Sequence, residues 1–399
     1  MEAGKLARNY PLAVVAGLGR MTITQGTQFG PYRILEQIGS GGMGDVYRAQ
    51  DTRLGREVAI KLISERYLAE AFGSGSASPA MGGGTPATPG TLSQRRFLRE
   101  AQAASVLNHA NICTIYDIGE QGGRPYLVME LLRGKTLKET LRQQALSAGD
   151  VITLSRQMAS ALAAAHAQGV VHRDIKPANI FVVGPEGKRQ IKILDFGLAK
   201  QEGAGDAQDS GEATATFAGQ ATSDGSRFGA GNGDLTSPGS TLGTVAYMSP
   251  EQAEGQALDA RTDLFSLGAV VYEMATGKAP FAGGSTAAIF AALLTREPPP
   301  VSAVREQEGR PPLPAGFDAI VTRLLAKDKS QRYQRAMEVE RELDELDATA
   351  RGSGTHVAAG GGHATHDGAS GPAWVPPAAE DLRPMERSRS GRGKLAAAW

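Results

Sequence analysis

One stretch narrows the folds open to this chain more than any other: Val170-Val171-His172-Arg173-Asp174-Ile175-Lys176-Pro177-Ala178-Asn179-Ile180. Val170 and Val171 lead in, and Phe181 and Val182 close the run, so a carboxylate, an ammonium and a carboxamide sit in a loop between buried anchors. Downstream, Ile191 to Leu194 reads as a short apolar strand that ends in Asp195-Phe196-Gly197. A second carboxylate therefore follows a strand end.

Upstream, Tyr32, Ile34 and Ile38 alternate as in a strand and run into Gly39-Ser40-Gly41-Gly42-Met43-Gly44-Asp45-Val46. Glycines at 39, 41 and 44 let a hairpin fold tightly over phosphates, because backbone amides approach closely where no Cβ intervenes. The spacing alone also serves dinucleotide folds, in which a helix follows the glycines. Here another strand-like run follows, Val58-Ala59-Ile60-Lys61-Leu62, which favours a triphosphate lid. Lys61 in an alternating apolar strand needs an anion, since a buried ammonium is costly unless paired. The expected partner is Glu100, on a helix predicted from Ser93 to Leu107, with Ser93 as its N-cap and Phe97, Ala101, Ala104 and Leu107 facing inward.

Together these motifs resemble those of bacterial eukaryotic-type serine/threonine protein kinases, in the family's order over residues 28 to 347. The resemblance implies an α+β, bilobal protein kinase fold: a small β-rich lobe with one regulatory helix (28–130), a hinge near Leu131, and a larger, mainly helical lobe (131–347). It implies ATP and Mg²⁺, with Mn²⁺ as a substitute. Phosphoryl transfer asks little covalent chemistry of a protein, only an acceptor hydroxyl held in line and charges to absorb charge. By resemblance, Asp174 is the base, Lys176 sits against the γ-phosphate, and Asn179 and Asp195 hold metal through hard oxygen atoms. Lys61, oriented by Glu100, holds the α and β phosphates under Gly39, Gly41 and Gly44. Ile38, Val46, Ala59 and Met129 line the adenine pocket, and backbone around Glu130 to Leu132 meets the adenine edge.

Further matches are structural. Asp263, opening a helix that is apolar almost all round, is expected to bond backbone amides of the catalytic loop, and Glu251 to pair with Arg332. His166 and His172 are read as packing residues. Asp150 is expected to cap a helix running to Gln168. The Lys176 pattern and Thr244 point to serine and threonine acceptors. Arg173 is expected to order the activation loop by pairing with a phosphate within residues 236–241. Two rivals remain beside the kinase: a catalytically dead scaffold of the same fold, which usually lacks a residue corresponding to Lys61, Asp174 or Asp195, and a dinucleotide oxidoreductase.

Composition sets the rest. Lys plus Arg and Asp plus Glu both number 42, so no global charge argues for nucleic acid or acidic membrane as a partner. No run reaches the roughly 18 apolar residues of a spanning helix. The single cysteine, Cys113, fits a reducing, cytoplasmic setting. Residues 72–91 and 201–240, rich in Gly, Ala, Ser and Thr, are expected as flexible inserts, 1–27 as a flexible extension with Met21 a candidate start, and 348–399 as a disordered tail. The expected partners are ATP, protein Ser/Thr substrates and a transient second copy of the chain.

Overall fold

The computed structural model describes residues 23–72, 89–196 and 245–353. The candidate start at Met21, the centre of the first insert, the whole of 201–240 and the tail from 354 lie outside the described residues.

The first lobe is a six-stranded antiparallel sheet in the order β1-β2-β3-β4-β6-β5. Its strands are β1 (Gln28–Phe29), β2 (Tyr32–Gly41), β3 (Gly44–Asp51), β4 (Glu57–Ile63), β5 (Ile115–Gln121) and β6 (Arg124–Glu130). β2 and β3 form the glycine hairpin, whose last pair is Gly41 with Gly44. Gly44 adopts φ 145°, and a Cβ there would lie 1.9 Å from the Leu62 carbonyl oxygen, so only glycine lets the hairpin lie this close to β4. Central β4 is buried along nearly its whole length, which forces Lys61 into the interior between Val46 and Leu127.

Two helices pack together beside this sheet: α1 (Glu65–Phe72) and α2 (Pro89–Ser105). The sequence pattern missed α1 and misplaced the start of α2. Ser93 is no N-cap but a buried residue within the helix, which begins four residues earlier at Pro89. Proline is well suited to a first helical turn, and it masked that start inside a segment read as loop. The inward face is as expected, with Phe97, Ala101, Ala104 and Leu107 buried. Helices thus occupy 72 and 89–91, at both ends of the expected insert.

Beyond β6 the chain passes through Leu131 to Gly134, where a Cβ on Gly134 would meet the Val182 carbonyl oxygen at 2.2 Å. The hinge is pressed against the second lobe there. That lobe comprises α3 (Leu137–Gln143), α4 (Ala148–Ala167), a three-stranded sheet of β7 (Lys135–Thr136), β8 (Ile180–Val183) and β9 (Gln190–Ile193), and helices α5 (Pro250–Ala253), α6 (Arg261–Thr276), α7 (Thr286–Thr295), α8 (Val301–Gln307), α9 (Phe317–Leu324) and α10 (Ala336–Ser353). Helix α6 is buried on nearly every side, as its sequence requires, and α4 packs against it and against α10. Ser147, not Asp150, caps α4, accepting from the Asp150 amide at 3.1 Å, while the Asp150 carboxylate accepts from Arg189 at 2.8 Å. Helix α10 runs on past 348, so helical structure extends beyond the expected domain end at 347.

Candidate active site

The loop between α4 and β8 and the turn after β9 face the buried end of β4. Backbone strain marks both segments, with Arg173 in the loop at φ 66° and Asp195 in the turn at φ 58°, each in the left-handed region. Asp263, fully buried at the start of α6, fixes the first of these: His172 N donates to Oδ2 at 2.8 Å and Arg173 N to Oδ1 at 2.7 Å. This is the contact expected from the sequence. His166 adds to it, donating from Nε2 to Oδ2 at 2.8 Å. Since the Leu194 carbonyl can only accept, His172 donates to it from Nε2 at 2.7 Å, leaving Nδ1 to accept the Asp174 amide at 3.2 Å. His172 therefore joins Asp174 to the strand that leads into Asp195. Both histidines thus hold backbone or its buried acceptor in place.

Asp174, Lys176 and Asn179 are brought together. One oxygen of Asp174, Oδ2, accepts from Lys176 Nζ at 2.7 Å and from Asn179 Nδ2 at 2.9 Å, and Asn179 Nδ2 also donates to the Asp174 carbonyl at 2.9 Å. The other carboxylate oxygen remains an acceptor for a hydroxyl, and the amide oxygen of Asn179 remains an acceptor for a cation. Backbone bonds tighten the two ends: Leu194 N donates to Asn179 O at 2.9 Å.

Lys61 pairs differently from the expectation. Its Nζ lies 2.6 Å from Asp195 Oδ2, and among the described residues no ion pair joins it to Glu100. The Met43 sulfur lies 3.4 Å from the same Nζ. Ser64, which follows β4, explains why the hairpin tip sits there: Ser64 N donates to Met43 O at 2.9 Å and its hydroxyl to Gly42 O at 3.1 Å, while Oγ accepts the Tyr67 amide in α1 at 3.1 Å. Burial raises the Tyr67 hydroxyl, and the carboxylates of Asp195, Asp174 and Glu100 raise it further, so α1 carries its ring into the site. Ser64 has the chemistry of a helix cap, but nothing in the sequence ties it to the hairpin tip.

Glu100 is half-buried with Oε2 unpartnered, and burial pushes its carboxyl up from 4.5 to about 7, with Arg173 pulling the other way. The folded chain thus binds more protons than the unfolded chain between pH 4.5 and about 7, and this group costs stability as pH rises through that window. Glu100→Gln is expected to raise stability above pH 7 by on the order of 1 kcal/mol, allowing for solvent screening, and to do much less at pH 5. Thermal melts at pH 5 and pH 8 check this; parallel curves for parent and variant would refute it.

The residues expected around the adenine lie close together. Val46, Ala59, Met129 and Leu132 belong to one buried cluster, against which Ile38 packs. Met129, Cys113 and Asp195 line a narrow cavity at its back. Burial raises the Cys113 thiol, in keeping with a structural residue. Glu130 turns its carboxylate to Lys192 Nζ at 2.8 Å, a pair the sequence pattern did not reveal, so its part in any adenine contact falls to the backbone. The large cavity of about 930 Å³ lies elsewhere, between Pro298, Asp318 and Lys327, and touches none of these residues.

The donor set suits a triphosphate with its metal: a buried ammonium, two hard oxygen ligands at Asn179 and Asp195, and a glycine turn whose Gly41 would place a Cβ in open space.

Comparison with known proteins gives the same picture. The sequence model of the protein kinase domain family matches residues 32–342. A probable serine/threonine-protein kinase of Streptomyces coelicolor is 35% identical over 320 residues, covering 79% of this chain and 40% of that protein. Serine/threonine-protein kinase PrkC of Bacillus subtilis is 36% identical over 315 residues, covering 79% and 40%. PknB of Mycobacterium tuberculosis is 34% identical over 317 residues, covering 78% and 42%. The chain therefore spans about 40% of the length of these relatives. Among solved structures, the M. tuberculosis PknI kinase domain aligns with a TM-score of 0.55 and 22% identity, over 82% of this chain and 100% of that one, a likeness of fold.

Proposed function

The chain belongs to the protein kinase family, and from that membership we propose that it transfers the γ-phosphate of ATP to serine and threonine hydroxyls of proteins. The observation that carries the reading is the convergence of Asp174, Lys176 and Asn179 on one carboxylate oxygen, opposite a buried Lys61 and Asp195.

In this reading Asp174 accepts the acceptor proton through its uncommitted oxygen and aligns the hydroxyl. Lys176 exchanges its carboxylate partner for the transferring phosphoryl group. Lys61 leaves Asp195 for the α and β phosphates, and Glu100 swings in to orient it, which also discharges the cost of burying an unpaired carboxyl. The 2.6 Å pair of Lys61 with Asp195 is then the resting arrangement of two groups waiting for their ligands. Asn179 and Asp195 would hold Mg²⁺ or Mn²⁺, which when bound supplies neutralisation of phosphate charge. Ile38, Val46, Ala59, Met129 and Leu132 enclose the adenine, and backbone groups from Glu130 to Leu132 bond its edge. Arg173 orders the activation segment once a hydroxyl within 236–241 is phosphorylated in trans by a transient second copy. ATP supply places the reaction in the cytoplasm, and no described helix is long and apolar enough to cross a membrane.

Incubation with γ-labelled ATP, Mg²⁺ and both acidic and basic general protein substrates tests this, with Lys61→Met as control. Label on serine and threonine is the expected result. No transfer above the control would favour a scaffold, and label confined to tyrosine would overturn the acceptor class.

A further inference from the structure

The tip of the glycine hairpin carries a side chain that the chemistry above leaves unused and that touches its buried cation. Met43 lies between Gly42 and Gly44 at the turn joining β2 to β3, and Ser64 N donates to its carbonyl at 2.9 Å. The residue is half-buried, and Lys61 Nζ donates to its sulfur at 3.4 Å while lying 2.6 Å from Asp195 Oδ2. A thioether is a weak acceptor, so the contact adds little to the hold of Asp195 on the ammonium. A stronger acceptor at the same place would compete with phosphate for Lys61.

Oxidation of the sulfur makes that acceptor, and few of the described sulfur atoms are open to it. Cys113, the single cysteine, is buried, and burial raises its thiol, which withholds the thiolate that peroxides attack. Met129, Met158 and Met274 are buried in the core. Met43, Met248 and Met337 keep exposed surface. Met248 packs against the core of the larger lobe and Met337 stands 61% exposed on α10, whereas Met43 is bonded to a residue of the nucleotide site.

We propose that Met43 is a regulatory oxidation site for hydroperoxides, whose sulfoxide holds Lys61 in its resting pair with Asp195 and so weakens ATP binding. A sulfur lone pair attacks the terminal peroxide oxygen. The S–O bond forms as the O–O bond breaks, the sulfur gives up two electrons, and the proton on the transferred oxygen passes to the departing one, which leaves as water or an alcohol. The sulfoxide oxygen is a far better acceptor than the thioether, one bond from a sulfur already in contact with Nζ. Lys61 then has two oxygen partners in place of one, and incoming phosphates must displace both. Methionine sulfoxide reductases, one for each epimer, return the thioether, so the change is reversible. The inference rests on the kinase reading above and adds a regulation of that same site.

The test treats the full-length chain with dilute hydrogen peroxide, follows oxidation of Met43 and Met337 by peptide mass spectrometry, and checks by thermal melt that the chain stays folded. Calorimetry is expected to show ATP binding weakened about tenfold in step with sulfoxide at Met43 and not at Met337, the low end of what a hydrogen bond to a charged group contributes. Turnover at saturating ATP should fall less than KM rises, because bound phosphates have by then displaced the sulfoxide. The two reductases should restore affinity. Met43→Leu, compared before and after the same treatment, should lose the response, and Met43→Gln, whose amide oxygen is a standing acceptor, should bind ATP more weakly than wild type without peroxide. Acylation of Lys61 by an N-hydroxysuccinimide ester, which needs no nucleotide, should slow severalfold on oxidation. Unchanged ATP affinity in chains carrying the sulfoxide, or an equal loss in Met43→Leu, would overturn the oxidation site and leave the kinase reading standing. Weaker ATP binding with unchanged acylation would also overturn it, because the sulfoxide would then obstruct the hairpin without holding Lys61. A folded, reduced chain that bound no ATP would overturn the kinase reading and this inference with it.

Discussion

Asp174→Asn is expected to lower phosphoryl transfer at saturating ATP by about 10³-fold, within the range for losing a positioned acid–base group, while changing nucleotide affinity less than about threefold. The two effects separate because of how Asp174 is built in. Its Oδ2 already accepts from Lys176 and Asn179, so an asparagine oxygen can take both bonds and leave the loop undisturbed. The second position then carries an NH₂ group, which cannot accept the proton of an incoming hydroxyl. The backbone gives no reason for a wider collapse, since Asp263 and His172 hold residues 172–174 through main-chain amides. Steady-state kinetics with nucleotide titration calorimetry check the split. A variant within tenfold of wild-type turnover would remove Asp174 from the role of base, and one that no longer binds nucleotide would mean that the loop had moved.

Much of this site is legible in the sequence because its parts are local. The spacing of Asp174, Lys176 and Asn179 is a property of one tight loop, in which the turn at 177–179 brings Asn179 back to Asp174. The alternation of β4 gives the burial of Lys61, and the all-round apolar pattern of α6 gives the burial of Asp263. What a buried cation pairs with is another matter. Asp195 and Glu100 are both suitable anions, and the choice depends on where α2 sits against the sheet, which depends in turn on α1, the hairpin tip bonded to Ser64 and the ring of Tyr67. None of these has a period or motif that a reading along the chain detects. The misplaced starts of α2 and α4 have a smaller cause of the same kind. Ser93 and Asp150 have the chemistry of caps, but one helix starts at Pro89 and Ser147 caps the other, while Ser93 is buried within its helix and Asp150 pairs with Arg189 instead.

The same distinction separates chemistry from support. Asp195 and Arg173 hold left-handed backbone that most residues avoid, at a cost of order 1–3 kcal/mol each. Such conformations persist only where the surroundings leave no alternative. At Arg173 the conformation is imposed by Asp263 on one side and on the other by the Gln252 side chain, which donates to the Arg173 carbonyl at 2.7 Å. Gln252 in turn belongs to the short helix α5, capped by Ser249 in a capping box. The catalytic loop is thus only as firm as the seat of α5.

That seat is a buried ion pair, and its removal should have the largest effect on stability: Arg332→Met is expected to destabilise the folded chain by about 3–5 kcal/mol. Arg332 has every N–H in use. Nη1 and Nη2 meet Glu251 at 2.7 and 2.8 Å, Nε donates to Ala326 O at 2.7 Å, and the remaining two donate to the carbonyls of Arg261 and Lys327 at 3.2 and 2.9 Å. Its guanidinium also lies 4.9 Å from the Phe265 ring centre. Burial alone would push the Glu251 carboxyl up, and the bonds from Arg332 more than reverse it. Methionine fills the volume but leaves that carboxylate charged and dry, so the variant should regain stability relative to wild type as pH falls and Glu251 takes up a proton. Adding Glu251→Gln should restore part of the loss, because the double variant buries a neutral amide that can still accept from Thr262. Urea unfolding of the four proteins at pH 5.5 and pH 8 measures the cycle. A loss below about 1 kcal/mol for Arg332→Met, or one that grows on acidification, would show that α5 is seated by its packing and not by its charge.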